Sequence, residues 1–427
     1  MNVLQRRLDR TDALAIALGG VIGVGVFRTT GLVLAGAGGL AGATAIWLAI
    51  GVISLAGAVL YGDLAARVPE VGGPYAYVRV AFGNLPAFTY GWFDAAIAIP
   101  VRQASVFAVI GELLASWLPG GPRALAIAML VVLTALHLLG VHVGAIAQRI
   151  FTSGKLLTLL FVIGLAGWAV ARGGGAIAGT PVAADTATFA TAIAGVWYTY
   201  LGWQDVVLLA EEVREPRRAL PFVLVATVAI AIALYTALHV AVYLGLGGGS
   251  AASSQLPVAA LAQATLGAGG VGALSLLMLA SMIGGAAEGV MVRPRMALAL
   301  ARDGFGPRWL ASINAAGTPD GALLATSALV LVLVATGTFA ELLPLLVFSQ
   351  GLLGVFETTS YFAVRKLRPA WPTSRFHPWA PLAFVGANVA LCAVEAVHDP
   401  LRAGIALAVL VALAAGYALV AAIRVTR

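Results

Sequence analysis

Nine consecutive residues, Gly19-Gly20-Val21-Ile22-Gly23-Val24-Gly25-Val26-Phe27, place four glycines within seven positions of an apolar segment. Glycine costs a helix roughly 1 kcal/mol relative to alanine, so this density predicts a break in a helix. Freed peptide groups cannot face lipid, where each unpaired one costs several kcal/mol; they must line an enclosed cavity and bind something. A second candidate break is Gly195-Val196-Trp197-Tyr198-Thr199-Tyr200-Leu201-Gly202-Trp203, in which two glycines bracket bulky aromatics. Charges inside apolar runs supply the other chemistry: Arg28, Asp94, Arg102, Lys155 and Glu288. A charge at membrane depth is costly, which makes each a functional candidate. Asp94 and Arg102 are two helical turns apart, a spacing open to mutual or cross-helix pairing. Glu288, within Gly284-Gly285-Ala286-Ala287-Glu288-Gly289, could contact a cationic group, join in proton coupling, or pair with Arg102 or Arg28.

Such residues need helices that carry them through an apolar medium. The chain has 427 residues, 61% hydrophobic and 10% charged, with a mean hydropathy of +0.98. Soluble domains are about 45–50% apolar and about 25% charged, so this is a polytopic membrane protein. Apolar runs of about 20 residues recur without the alternation of a barrel, giving an all-α membrane protein of about twelve transmembrane helices. The predicted organisation is a short N-terminal segment (1–10), a first block of five helices (11–171), a second block of five (188–366) and two C-terminal helices (380–424). The third and eighth segments, Phe82 to Leu118 and Gly267 to Asp303, exceed the bilayer thickness and predict tilt or extension beyond it. The basic N-terminus precedes an apolar segment without a cleavage site, which predicts a retained first helix and no signal peptide.

The net charge of +7 is scattered over short loops, a topological pattern rather than a nucleic-acid footprint. With the N-terminus in the cytoplasm, Arg6, Arg7, Arg67, Arg149, Arg217, Arg302, Arg365 and Lys366 fall inside, and only Arg123, Arg172 and Arg402 remain outside. Both termini are therefore expected on the cytoplasmic side of the inner membrane, and an odd helix count would erase the asymmetry. The first block then starts inside and the second outside, the expectation for an inverted repeat with discontinuous helices 1 and 6 and a site at the midplane. Cys392 is the single cysteine, so an internal disulfide and a cysteine-built metal site are excluded, and it reads as a small buried hydrophobe. His137, His142 and His239 lie on different segments without metal-ligand spacing. No metal or cofactor is expected.

At these residues the chain resembles the amino acid–polyamine–organocation superfamily of secondary transporters, which share the LeuT-like fold. Gly23-Val24-Gly25-Val26-Phe27 matches that family's first-helix Gly-x-Gly-[Ile/Val]-Phe. Further matches follow in order: Tyr200-Leu201-Gly202-Trp203, Ala210-Glu211-Glu212-Val213, Pro216-Arg217-Arg218-Ala219-Leu220-Pro221, Arg295-Met296 with Ala301-Arg302-Asp303-Gly304-Phe305-Gly306-Pro307, and Arg365-Lys366-Leu367-Arg368-Pro369. Together they cover about the first ten helices. The resemblance implies a five-plus-five inverted repeat with two extra helices, and alternating access for an amino acid or related amine.

A zwitterion presents a carboxylate and an ammonium, and two broken helices answer both. The new helix N-terminus at Gly25 offers N–H groups and a positive end to the carboxylate, while carbonyls around Trp197 and Tyr198 offer acceptors to the ammonium. The substrate-binding candidates are Val21, Gly23, Val24, Gly25, Trp197, Tyr198, Gly202, Glu288 and Arg102. Tyr198 stands where the family places an aromatic lid. In proton-coupled members a lysine at the place of Lys155 replaces the ion of sodium-coupled relatives. The resemblance thus implies that Lys155 holds and releases a proton against the first-helix carbonyls near Gly20 to Gly23. The loop Glu211-Glu212-Val213-Arg214-Glu215-Pro216-Arg217-Arg218 has the mixed charge of a cytoplasmic gate or of a plain solvated loop.

Two other readings are open to the sequence. A major-facilitator-type transporter needs a charged Gly/Asp/Arg-rich loop after the second helix, where this chain has Arg67-Val68-Pro69-Glu70-Val71-Gly72-Gly73-Pro74. A membrane-embedded transferase needs an acid/base pair or metal cluster at one membrane face, and the sequence offers none. The expected partners are an amino acid or amine, protons and membrane lipid, with no nucleic acid and no disulfide-linked subunit.

Overall fold

The computed structural model describes residues 4–23, 25–173, 186–254, 256–337, 339–369 and 374–425. Among them it is all-helical, with seventeen α-helices, and the only β pairing is an isolated bridge between Leu8 and Val213. Five helical stretches are long and apolar enough to cross a bilayer, and four shorter ones are also apolar. The chain is a multi-pass membrane protein.

Helix α1 (Arg10–Val21) starts at a reciprocal cap. The Asp9 carboxylate accepts from the Asp12 N–H at 2.8 Å, and the Asp12 carboxylate accepts from the Asp9 N–H at 3.1 Å. The helix stops at Ile22, whose ψ of 91° is extended, and α2 (Gly25–Gly36) begins after the interruption. The glycine run therefore separates two short helices where hydropathy alone traces one span.

α3 (Leu40–Arg67) runs unbroken to the loop carrying α4 (Pro74–Phe82). The next span is α5 (Asn84–Phe93), a π turn at Asp94–Ala98, and α6 (Ile99–Ala115). Pro100 accounts for the widening: it has no N–H, and its ring crowds the carbonyl four residues earlier. The Ile99 N–H accordingly reaches five residues back to the Asp94 carbonyl.

After α7 (Pro122–Leu138) and α8 (Val141–Ala171) comes α9 (Thr186–Thr199), which ends in a turn at Tyr200–Gly202 and passes into a 3₁₀ segment, Trp203–Leu209. α10 (Pro216–Leu246) and the short α11 (Gly248–Ser253) follow. α12 (Pro257–Val292) starts ten residues before the predicted Gly267, where the helix bends with φ 70°, and α13 (Arg295–Arg302) turns away from it after Pro294. The chain closes with α14 (Asp320–Thr336), α15 (Phe339–Leu367), α16 (Trp379–His398) and α17 (Pro400–Val425).

The core lies where α1, α3, α8, α10 and α12 meet. Trp47 on α3 packs edge-on against Tyr200 and Tyr235, with centroids 5.9 and 5.6 Å away. Buried aromatic pairs of this kind add about 0.5–1.5 kcal/mol beyond the area they cover.

Candidate functional site

The two interruptions cross each other at a pair of glycines. A Cβ built on Gly20 would lie 2.7 Å from the Gly202 carbonyl oxygen, and one on Gly202 would collide with the Gly20 carbonyl. Gly202 also takes φ +110°, which side-chain-bearing residues rarely adopt. Only glycine at both positions lets the two main chains touch.

Two of the carbonyls freed at the end of α1, those of Val21 and Gly19, have found side-chain partners, and a third bond ties the helix one turn earlier. Tyr235 Oη donates to the Val21 carbonyl at 2.7 Å, Lys155 Nζ to the Gly19 carbonyl at 2.5 Å, and Thr152 Oγ1 to the Ala15 carbonyl at 2.7 Å. The Val21 carbonyl is therefore occupied. Gly23 is half-buried with open space beside it, and Gly25 opens α2 with Thr199 Oγ1 3.0 Å from where its Cβ would be. The first N–H groups of α2 have no partner within their own helix, which leaves a positive end at the interruption. Val24 and the side chain of Arg28 lie outside the described residues.

The second interruption falls later than its aromatic cluster suggests. Trp197 and Tyr198 are still helical, and their carbonyls accept from the N–H groups of Tyr200 and Leu201. They are not free acceptors. Trp197 lines the central cavity, with its ring stacked on Phe384 at 6.1 Å; Tyr198 is 41% exposed and does not line it.

Lys155 is fully buried on α8 and reaches α1 across a gap left by glycines of α12. A Cβ on Gly284 would lie 3.0 Å from Lys155 Cε, and one on Gly285 would lie 3.5 Å from its Nζ. One turn further along α12, Glu288 is 1% exposed, and neither carboxylate oxygen has a hydrogen-bond partner. Its Cδ stands 3.4 Å from a Cβ position on Gly20, so the carboxylate lies over the crossing of the two breaks. Among the described residues its nearest cation is Arg293 at 3.8 Å rather than Arg102. Arg293 is held more closely by Asp205 at 2.9 Å and by Gln103 at 3.1 Å.

Arg102 pairs with Asp94 on its own span at 3.3 Å, and both line the cavity with Tyr61, Tyr90, Trp203, Asp205 and Glu357. The Tyr61 and Tyr90 hydroxyls both donate to the Glu357 carboxylate. Asp205, Arg293 and Glu357 escape the sequence reading, although each is a charge in or beside an apolar run, the same signal that marks Glu288.

On the face that carries the N-terminus, the mixed-charge loop is tied down. Arg295 forks onto Glu212 at 2.7 and 3.0 Å with both side chains almost fully buried, while the more exposed Arg302 meets Glu211 at 2.6 Å. Leu8 exchanges main-chain bonds with this loop, donating to the Glu212 carbonyl at 3.0 Å and accepting from the Arg214 N–H at 2.8 Å. Next to it, Arg149 on α8 spans Asp9 and Asp12 at 3.1 and 2.7 Å. Hydrogen bonds from Thr11 and from the Asp12 N–H, with the charge of Arg149, hold the Asp9 carboxyl down at about 2.

The amino acid permease family model matches residues 8–415. The chain belongs to the amino acid permease family. It is similar to the serine/threonine exchanger SteT of Bacillus subtilis, 27% identical over 238 residues, which cover 55% of this chain and 54% of that one. It is also similar to the large neutral amino acids transporter small subunit 2 of Rattus norvegicus, 28% identical over 391 residues, 86% of this chain and 72% of that one. With the b(0,+)-type amino acid transporter 1 of Mus musculus it shares 25% identity over 252 residues, 56% of this chain and 51% of that one. The matched region thus spans about half the length of the exchanger SteT and of the b(0,+)-type relative. The family and these relatives are transporters rather than enzymes.

Proposed function

We propose that this permease is a secondary active transporter that carries amino acids or related amines across the cytoplasmic membrane by alternating access. The observation that carries the reading is the contact of two interrupted helices at Gly20 and Gly202. Peptide groups freed at membrane depth are retained only where they meet a ligand or enclosed protein. The N-terminal end of α2 suits the carboxylate of a zwitterion, with the main-chain N–H groups of Gly23 and Gly25 as its donors. Trp197, Gly202, Arg102 and Glu288 complete the proposed site.

Coupling is assigned to Lys155, whose ammonium bridges α8 to the end of α1 at Gly19. A proton on Lys155 holds this bond, and its release frees α1 to move. In the proposed topology twelve spans form an inverted five-plus-five repeat with two added helices and both termini in the cytoplasm. The ion pairs Arg295–Glu212 and Arg302–Glu211 then close the cytoplasmic gate. The exchanger among the relatives keeps exchange open as the mode.

Counterflow in proteoliposomes tests this. Vesicles loaded with unlabelled amino acid should accumulate the labelled species faster than empty vesicles. Equal accumulation for every amino acid tried, with folded protein in the membrane, would overturn the reading.

A further inference from the structure

At the end of the molecule that carries the N-terminus, polar side chains join α3, α15 and the turn that opens α16. This end is marked by Gly62 of α3, whose Cβ position lies 3.0 Å from Pro221 of α10, and by Arg10, which lies over the Phe222 ring at 4.8 Å. Here Arg67, 4% exposed, pairs with Asp63 at 3.2 Å and donates to the Arg368 carbonyl at 2.5 Å, tying α3 to the end of α15. From α15, the buried Tyr361 hydroxyl meets Nδ1 of His377 at 3.3 Å and also bonds the Asp63 carboxylate. Arg365, one turn further on, reaches Nε2 of the same imidazole. His377 belongs to the turn of residues 374–378 that leads into α16.

These partners decide where the imidazole proton sits. A guanidinium has N–H groups and no acceptor, so the Nε2 that faces Arg365 accepts and carries no hydrogen. The single N–H of a neutral imidazole is then on Nδ1, where it donates to Tyr361 Oη and leaves the hydroxyl proton for Asp63. An imidazolium does not fit, because a second N–H would point at the Arg365 cation. Among the described residues the charged groups facing His377 are Arg365 from α15 and Asp63 and Arg67 from α3, and Arg67 already pairs the carboxylate. Partial burial and the charge of Arg365 hold the imidazole below its ordinary value. The contact is therefore complete above that value, near 6.5, and is lost as the pH falls.

What this contact holds is a wall of the central cavity. α16 runs from the turn to Phe384 and Asn388, which line the cavity, and Phe384 stacks on Trp197 at 6.1 Å.

We propose that His377 is a proton-operated clasp: neutral, it fixes the start of α16 to α3 and α15, and protonated it lets go, so that acidification loosens one wall of the cavity. The clasp goes beyond the transport reading and can be observed without any ligand.

Hydrogen–deuterium exchange of purified full-length protein in detergent tests it, read by mass spectrometry on the peptide of residues 374–382 and corrected for the intrinsic pH dependence of exchange. In wild type, protection should fall at least fivefold from about pH 7.5 to about pH 5.5. His377→Gln, whose amide can accept from Arg365 and donate to Tyr361 without titrating, should keep its protection at both values. Wild-type protection that stays constant over this range overturns the clasp, as does a folded His377→Gln variant that loses protection like wild type. The loop of residues 312–319, which has no titratable side chain, is the internal reference and decides the matter if the variant fails to fold. An equal fall there would mark general loosening and would also overturn the clasp.

Discussion

Lys155 Nζ stands 2.5 Å from the carbonyl of Gly19, a peptide group in the last turn of α1. A side chain from α8 thus does what the next turn of α1 would have done had the helix continued. Lys155→Ala removes that bond and the charge together. Transport is expected to fall at least tenfold and to lose its pH dependence, measured as initial uptake rates across a pH series in proteoliposomes. Uptake that keeps its pH profile in the variant would refute the coupling role.

Glu288 has no hydrogen bond, with Asp205, Arg293, Lys155 and Arg102 as its charged surroundings among the described residues. Glu288→Gln keeps the shape and removes the titratable group next to the crossing. A several-fold rise in KM for the transported amino acid, or a displaced pH profile, is the expected outcome. A variant matching wild type in both substrate range and pH profile would reduce Glu288 to a packing residue.

Gly202→Ala combines a positive φ with a collision against the Gly20 main chain, so a loss above about 2 kcal/mol is expected. Gly154→Ala is the contrast: nothing lies within 4 Å of its Cβ, and alanine gains about 0.5–1 kcal/mol of helix propensity. Melting of the purified variants by intrinsic fluorescence should separate them in that direction. Equal melting would mean that the two main chains are less tightly apposed than described.

Glu212→Gln strips a buried Arg295 of its forked partner, a change that costs about 3–5 kcal/mol when one member of a buried pair is removed. Glu211→Gln breaks a pair that is about one-third exposed, where about 1 kcal/mol or less is expected. A double-mutant cycle with Arg295→Met and Arg302→Met, scored by melting, gives the two coupling energies. Similar values for both would contradict the difference in burial.

Asp9 supplies a pH test. Its carboxyl is held at about 2, mainly by the Thr11 hydroxyl and the Asp12 N–H, with Arg149 assisting. A carboxyl lowered in the folded state contributes stability that is complete above the ordinary value near 4 and lost as the pH falls through about 2. Asp9 is 45% exposed, so screening limits the effect to less than about 1 kcal/mol. Asp9→Asn should therefore melt slightly below wild type at pH 7, and the gap should narrow at pH 3. A gap that widens on acidification would reverse the assignment.

The first interruption is legible because its cause is local: four glycines raise the backbone cost wherever they stand. The second is less so, since Trp197 and Tyr198 sit comfortably in a helix and only the positive φ of Gly202 turns the chain. Hydropathy sees Lys155 as an expensive charge but not its partner, because a bond from Lys155 to Gly19 across 136 residues is a tertiary fact. The partners of Glu357, Tyr61 and Tyr90, lie nearly three hundred positions away and carry no local mark. The start of α12 at Pro257 is hidden in the same way, since a bend at Gly267 reads as a boundary when the chain is taken one window at a time.

The π turn at Asp94–Ala98 has a geometric consequence for everything beyond it. In a plain α-helix, residues eight apart are rotated by about 80° around the axis, enough to aim Asp94 and Arg102 into different sectors. One surplus residue in the winding takes up about 100°, and the two side chains swing into line at 3.3 Å. Pro100 therefore works like the index mark on a dial. Restoring ordinary winding there would re-aim Arg102, Gln103 and the rest of α6 together, retuning the chamber without altering any residue on its wall.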